Sequence, residues 1–203
     1  MKTKAARTPE DTRRRILMAA FAEFYRRGFQ GGSLARIVKE AGTTKGALFH
    51  HFEGKDDLGH AVIEEVVQPR IQALWIEPLA DSDDPITDSK RAIRRFVQEE
   101  LQNGRLAQGC PLNNFAQEMS PLDEGFRRRI EQVYAAWRGA LEAALARGIK
   151  AGNVRRGVSP RNVATFIVAA QSGIIGTAKS AQSEELMRQA GEAFFAYLES
   201  LRP

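Results

Sequence analysis

The chain has 203 residues, 27% charged and 43% hydrophobic, the balance of a soluble globular protein with room for one or two cored domains. No window approaches the about 18 apolar residues of a membrane span, no apolar run succeeds the basic start MKTKAARTPEDTRRR as a secretory signal would need, and one cysteine excludes an intramolecular disulfide, so a cytoplasmic setting is expected. The net charge of +5 sits entirely in residues 1–60, which hold 12 Lys or Arg against 7 Asp or Glu, while the remainder holds 18 against 18. That is the footprint of a phosphate-binding head on a neutral body, or else of a solvated basic face without a partner.

Met1–Arg7 reads as a frayed end or as a basic arm along a nucleic-acid backbone. Thr8-Pro9-Glu10-Asp11 then starts a helix, with Thr8 as cap and Pro9 at the first position. Ile16, Leu17, Ala20, Phe21 and Phe24 recur at helical spacing as a core stripe, Arg13–Arg15 could touch phosphate, and Gly28 ends the helix. Ser33 can cap a short helix with Leu34, Ile37 and Val38 on one face, Gly42 supplies a left-handed residue, and Thr44 caps a second helix almost at once. So short a turn between two helices is the helix-turn-helix arrangement, whose second helix fits the DNA major groove. Phe29 is expected to pack beneath this helix pair.

Roles can be assigned from chemistry. Ser33 and Thr44 stand at helix N-termini, where N–H groups and a hydroxyl meet phosphate. Arg36, Lys45 and Lys55 can neutralise phosphates. Thr43, Lys45, Gly46, Ala47 and His50 are placed to face base edges, with Ala47 suited to a thymine methyl. Leu48, Phe49 and Phe52 are expected to hold the recognition helix to its neighbours. His50 and His51 are adjacent and point apart, so they form no metal pair. Neither metal nor cofactor is expected.

The run AGTTKGALFHHF from Ala41 to Phe52, together with Gly54-Lys55-Asp56-Asp57-Leu58, resembles the DNA-binding signature of the TetR (TetR/AcrR) family of bacterial transcriptional regulators. The resemblance implies a three-helix head over about residues 8–60. It also implies a phosphate or local capping contact for His51. Phe49 stands where the family usually has a tyrosine whose hydroxyl contacts phosphate, and Thr43 where an apolar residue is commoner.

A longer helix is expected from Lys55 to about Trp75, kinked or split at Pro69. In the resembling family this helix joins head to body. Asp81-Ser82-Asp83-Asp84-Pro85 reads as a solvated acidic linker, and Ile86–Asn103 as a helix with Ile93, Phe96, Val97 and Leu101 on one face. Gln108-Gly109-Cys110-Pro111-Leu112-Asn113-Asn114-Phe115-Ala116-Gln117-Glu118 resembles a patch of one broad subgroup of the family, some of whose members sense electrophiles or oxidants while others bind multidrug-like or aromatic ligands. Near a helix start Cys110 could be a lowered-pKa thiolate, or it is a small buried core residue. Ser120-Pro121-Leu122-Asp123 opens a helix to about Ala151; Ser159-Pro160 and Ser183-Glu184-Glu185 open the last two.

The expected ligand contacts are the aromatic walls Trp75, Phe96, Phe115, Tyr134, Trp137 and Phe166, together with Cys110, Asn113, Asn114 and Gln171. The last two helices are apolar round much of their circumference, so Phe166, Ala170, Gly173, Ile174, Gly176, Phe194, Phe195 and Leu198 are expected at a dimer interface, as the resemblance also implies. The expected protein is therefore all-α with about nine helices: a helix-turn-helix head in residues 1–55 and a helical ligand-binding and dimerisation domain in residues 56–203. It would act as a homodimeric repressor on a near-palindromic DNA operator, released by a small-molecule effector. The alternatives are a sensor of the same fold acting through the Cys110 thiol, or a non-specific architectural DNA binder. Three histidines and one cysteine without catalytic spacing argue against an enzyme.

Overall fold

In the computed structural model α1 (Pro9–Arg27) begins as its sequence dictates: Thr8 accepts from the N–H of Asp11, and Pro9 fills a position whose N–H would be unpaired. The structure describes residues 8–105 and 108–203, so the basic stretch Met1–Arg7 lies outside the described residues. The next helices are α2 (Leu34–Glu40), α3 (Lys45–His51) and α4 (Lys55–Val62). Two π-helical turns, Ile63–Val67 and Gln72–Ile76, flank a short α5 (Gln68–Ile71), and a 3-10 turn ends at Leu79. The remaining helices are α6 (Pro85–Gln102), α7 (Pro111–Met119), α8 (Glu124–Ala151), α9 (Pro160–Ala181) and α10 (Glu184–Glu199). Counting the run from Lys55 to Leu79 as one, nine helices and no strand are present among the described residues, the all-α class expected.

Contacts sort the chain into two units. Residues 8–68 with Asn114–Arg129 form the first, and Pro69–Asn113 with Ile130–Pro203 form the second. In the first, Ile16, Ile37, Leu48 and Leu58 are fully buried, each contributing about 1.5–3 kcal/mol relative to exposure. Phe24, Phe29, Phe115 and Phe126 form an aromatic cluster, with Phe29 and Phe126 centroids 4.7 Å apart. Gly59 makes room for it: a Cβ there would stand 2.5 Å from the Phe29 ring and 2.7 Å from that of Phe126. In the second unit Trp75 stacks on Trp137 at 5.3 Å and meets Phe96 at 5.4 Å. Buried Glu100 is neutralised there by Arg70 at 2.6 Å and Arg105 at 3.1 Å, since a carboxylate cannot stay buried unpaired.

Several local expectations are corrected. Pro69 sits in the short α5 between two π-helical turns, and the run stays helical from Lys55 to Leu79 rather than forming one regular α-helix. Ser33 holds the N-cap position of α2 but makes no side-chain cap; its N–H is taken by Glu23 at 3.2 Å. Within the expected start Ser120–Asp123 the cap of α8 is Asp123, which accepts from the N–H of Phe126 at 2.8 Å. The acidic segment before α6 is anchored rather than free. Asp84 caps α6 and pairs with Arg202, Arg147 donates to the Ser82 and Leu79 carbonyls, and Asn153 donates to that of Asp83.

Candidate nucleic-acid interface and ligand cavity

The turn before α3 is fixed from both sides. Gly42 takes φ +55°, a conformation most residues resist, and the N–H groups of Gly42 and Thr43 return to the carbonyls of Lys39 and Val38. Arg15, reaching from α1, donates to the carbonyls of Ala41 and Gly42. Thr44 then caps α3 by accepting from the N–H of Ala47 at 3.1 Å. Leu48 and Phe52 are buried, which turns the opposite face outward: Thr44, Lys45, Gly46, Phe49 and His50 are exposed, with Ala47 and Thr43 half-buried beside them. That face carries one cation, three hydrogen-bonding side chains and two small residues that permit close approach, the composition of a helix that reads base edges.

Phe49 departs from its expected packing role. It is 44% exposed, because residue 49 comes one position after the buried Leu48 and so turns to the open face. There it shares a cation–π contact with Lys45, 5.7 Å from Nζ to ring centroid. Arg36 and Lys55, expected on phosphates, are held within the first unit. Arg36 pairs with Glu23 at 2.6 Å and donates to the Gly31 carbonyl, while Lys55 donates to the Gln30 carbonyl at 2.9 Å above the Phe29 ring. Arg13 is likewise committed, bound to Glu65 by both guanidinium nitrogens. Arg14 is exposed. Ser33 is half-buried at the start of α2, and His51 is half-buried against its neighbours His50 and Phe52. The signal missed in the sequence is that acids on other helices compete for Arg36 and Arg13, and a backbone carbonyl for Lys55.

The second unit holds a cavity of about 640 Å³ between α6, α9 and α10. Trp75, Phe96 and Gln171 line it as expected ligand contacts. Ile93, Met187 and Phe194 join them; the Ile93–Phe96 stripe was visible in the sequence, but its partner α10 was not. Cys110 and Trp137 instead line a small neighbouring crevice with Trp75. Tyr134 and Asn113 bond to each other at 3.5 Å, off the cavity wall, and burial pushes the Tyr134 phenol up to about 12. Asn114 and Phe115 belong to the first unit, Phe115 within its aromatic cluster.

Of the two readings of Cys110, its surroundings do not favour the lowered pKa. Desolvation pushes its thiol up, more than the N–H groups of Asn113 and Leu112 at the start of α7 can offset. The proposed interface residues also divide. Phe166 is 49% exposed against Tyr197, Gly173 is open, and Ala170 and Gly176 are half-buried. Phe194 and Leu198, by contrast, lie in the unit's own core, because with Met187 they form the stripe of α10 that packs inward. Ile174 lines the cavity, and Phe195 lies under Lys90 and Arg94. The open stripes are Phe166, Ala169, Gly173 and Thr177 on α9, and Gln189, Ala193 and Ala196 on α10, with Ser200 just past its end.

Residues 16–62 match the profile of bacterial regulatory proteins of the tetR family, and residues 89–194 match that of the tetracyclin repressor-like C-terminal domain. The chain belongs to the TetR family of transcriptional regulators. This TetR-family regulator is similar to the HTH-type transcriptional repressor DhaR of Mycobacterium sp. (strain GP1), 27% identical over 184 residues covering 91% of this chain and 89% of that one. It is 30% identical over 139 residues to the HTH-type transcriptional regulator LmrA of Bacillus subtilis (strain 168), covering 66% and 71%. Its fold is that of a TetR-family regulator from Agrobacterium tumefaciens, with a TM-score of 0.83, 21% identity, and 97% and 100% of the two chains covered. No helix of the described residues is long and apolar enough to cross a membrane.

Proposed function

We propose that this regulator is a homodimeric repressor that holds a near-palindromic DNA operator and is released from it by a small-molecule effector. The observation that carries the DNA half is the outward face of α3, where Lys45, Gly46, Phe49 and His50 stand exposed on a helix pinned by buried Leu48 and Phe52. On this reading, residues 1–55 supply the DNA contacts and residues 56–203 supply effector binding and dimerisation. The cavity bounded by α6, α9 and α10 has the size and apolar lining of a small-molecule site. The open stripes of small residues on α9 and α10 are suited to a partner copy's close approach. Two recognition helices in one dimer would enter successive major grooves about 34–36 Å apart. An effector releases them only if it binds the released form better than the DNA-bound form.

The test is selection of bound duplexes from a random pool at physiological salt, then anisotropy titration of the recovered site. A palindromic motif with half-sites one helical turn apart supports the reading. Salt-sensitive binding without any motif replaces it with a non-specific architectural role.

A further inference from the structure

The cavity of the second unit is apolar along most of its wall, with Trp75, Phe96, Ile93 and Met187 among its lining. One buried polar side chain interrupts it. Gln171 on α9 is only 6% exposed, and its Oε1 has no hydrogen-bond partner. A buried acceptor left without a donor is costly, and a donor brought from outside would satisfy it. The charged residues at the rim do not call for an ion. Arg188 is already held by Glu185 at 2.6 Å and Glu192 at 2.5 Å, and Arg94 lies over the Phe195 ring. Glu184, Glu185 and Glu192 outnumber Arg94 and Arg188 along the lining, so a carboxylate entering the cavity would be desolvated against a net negative rim.

We infer that the effector is a neutral, predominantly apolar molecule carrying a hydroxyl, and that this hydroxyl donates to Gln171 Oε1. The inference rests on the effector reading given above and adds the ligand's chemical class and the residue that selects it. The volume of about 640 Å³ admits a ring with an alkyl tail. The specificity is for a donor: a methyl ether of the same shape fills the apolar space but leaves the acceptor unpaired.

The experiment is isothermal titration of the full chain, without DNA, with para-pentylphenol, its methyl ether para-pentylanisole, and para-pentylbenzoate. The phenol is expected to bind at least about fivefold more tightly than the ether, and the benzoate more weakly than the phenol. In Gln171→Leu, or in Gln171→Met should that variant fold poorly, the phenol and ether should bind alike, with ether affinity no lower than in the parent chain. Equal phenol and ether binding in the parent chain overturns the role of Gln171 while leaving the cavity as an effector site. Tightest binding of the benzoate overturns the neutral class, and binding of none of the three overturns the inference without touching DNA recognition. Phenol-selective binding that leaves operator affinity unchanged in a parallel anisotropy titration keeps Gln171 as the selecting residue but overturns the molecule's role as effector.

Discussion

The carboxylate of Glu118 accepts the backbone N–H of Phe29 at 2.8 Å, and its second oxygen accepts that of Gln30 at the same distance. One side chain from α7 thus satisfies two N–H groups of the loop between α1 and α2, beside the aromatic cluster that supports the helix-turn-helix. Glu118→Ala leaves both donors without this partner. It is expected to destabilise the protein by about 1–3 kcal/mol in urea denaturation and to weaken DNA binding, while Glu118→Gln, which keeps one acceptor, should lose less. Unchanged stability in Glu118→Ala would show that water replaces the carboxylate at no cost.

Phe49 shares the open face of α3 with Lys45 and His50. A tyrosine there keeps the ring and adds a hydroxyl where phosphate would approach. Phe49→Tyr should strengthen operator binding by about 0.5–3 kcal/mol, measured by anisotropy at fixed salt. Equal or weaker binding would place the ring away from the backbone.

Acid should loosen the first unit through Glu23. Burial alone would raise this carboxyl, but the hydrogen bond from Arg36 and the N–H of Ser33 outweigh it and hold the pKa below the ordinary value. A depressed folded pKa contributes stability that is complete above the unfolded value of about 4.3 and is lost as pH falls through the folded value. Glu23→Gln is therefore expected to cost about 1–2 kcal/mol at neutral pH and to lose less than the parent chain on acidification below about pH 4. Parallel stability–pH curves for the two proteins would remove Glu23 from the acid response.

Gly173 lies on the exposed stripe of α9, and a Cβ added there would meet nothing within 4 Å. A large side chain should leave the protomer intact yet stand in a partner's way. Gly173→Arg is expected to keep its helical circular dichroism while raising the dimer dissociation constant by about tenfold or more in sedimentation, since an unpaired charge is costly at a close helix contact. An unaltered dimer would move the interface elsewhere.

The sequence by itself determined the helices and most of their caps. Thr8, Thr44, Ser159 and Ser183 cap because a short hydroxyl one position before an apolar period has a local N–H to accept, and Gly42 turns because its own backbone allows it. The helix-turn-helix was legible for the same reason: its turn, caps and buried Leu48 lie within a few residues of one another. The tertiary structure alone decided which cations remain open to DNA. Arg36 and Arg13 find Glu23 and Glu65 only once the helices pack, and ion pairs between distant positions leave no periodic mark in a chain. It likewise decided that Phe115 meets Phe24 and Phe29 and that Phe194 and Leu198 turn inward. It also set Gln171 into the cavity wall between α6, α9 and α10. Periodicity tells which residues of a helix share a face; what that face meets is fixed by the helices packed against it.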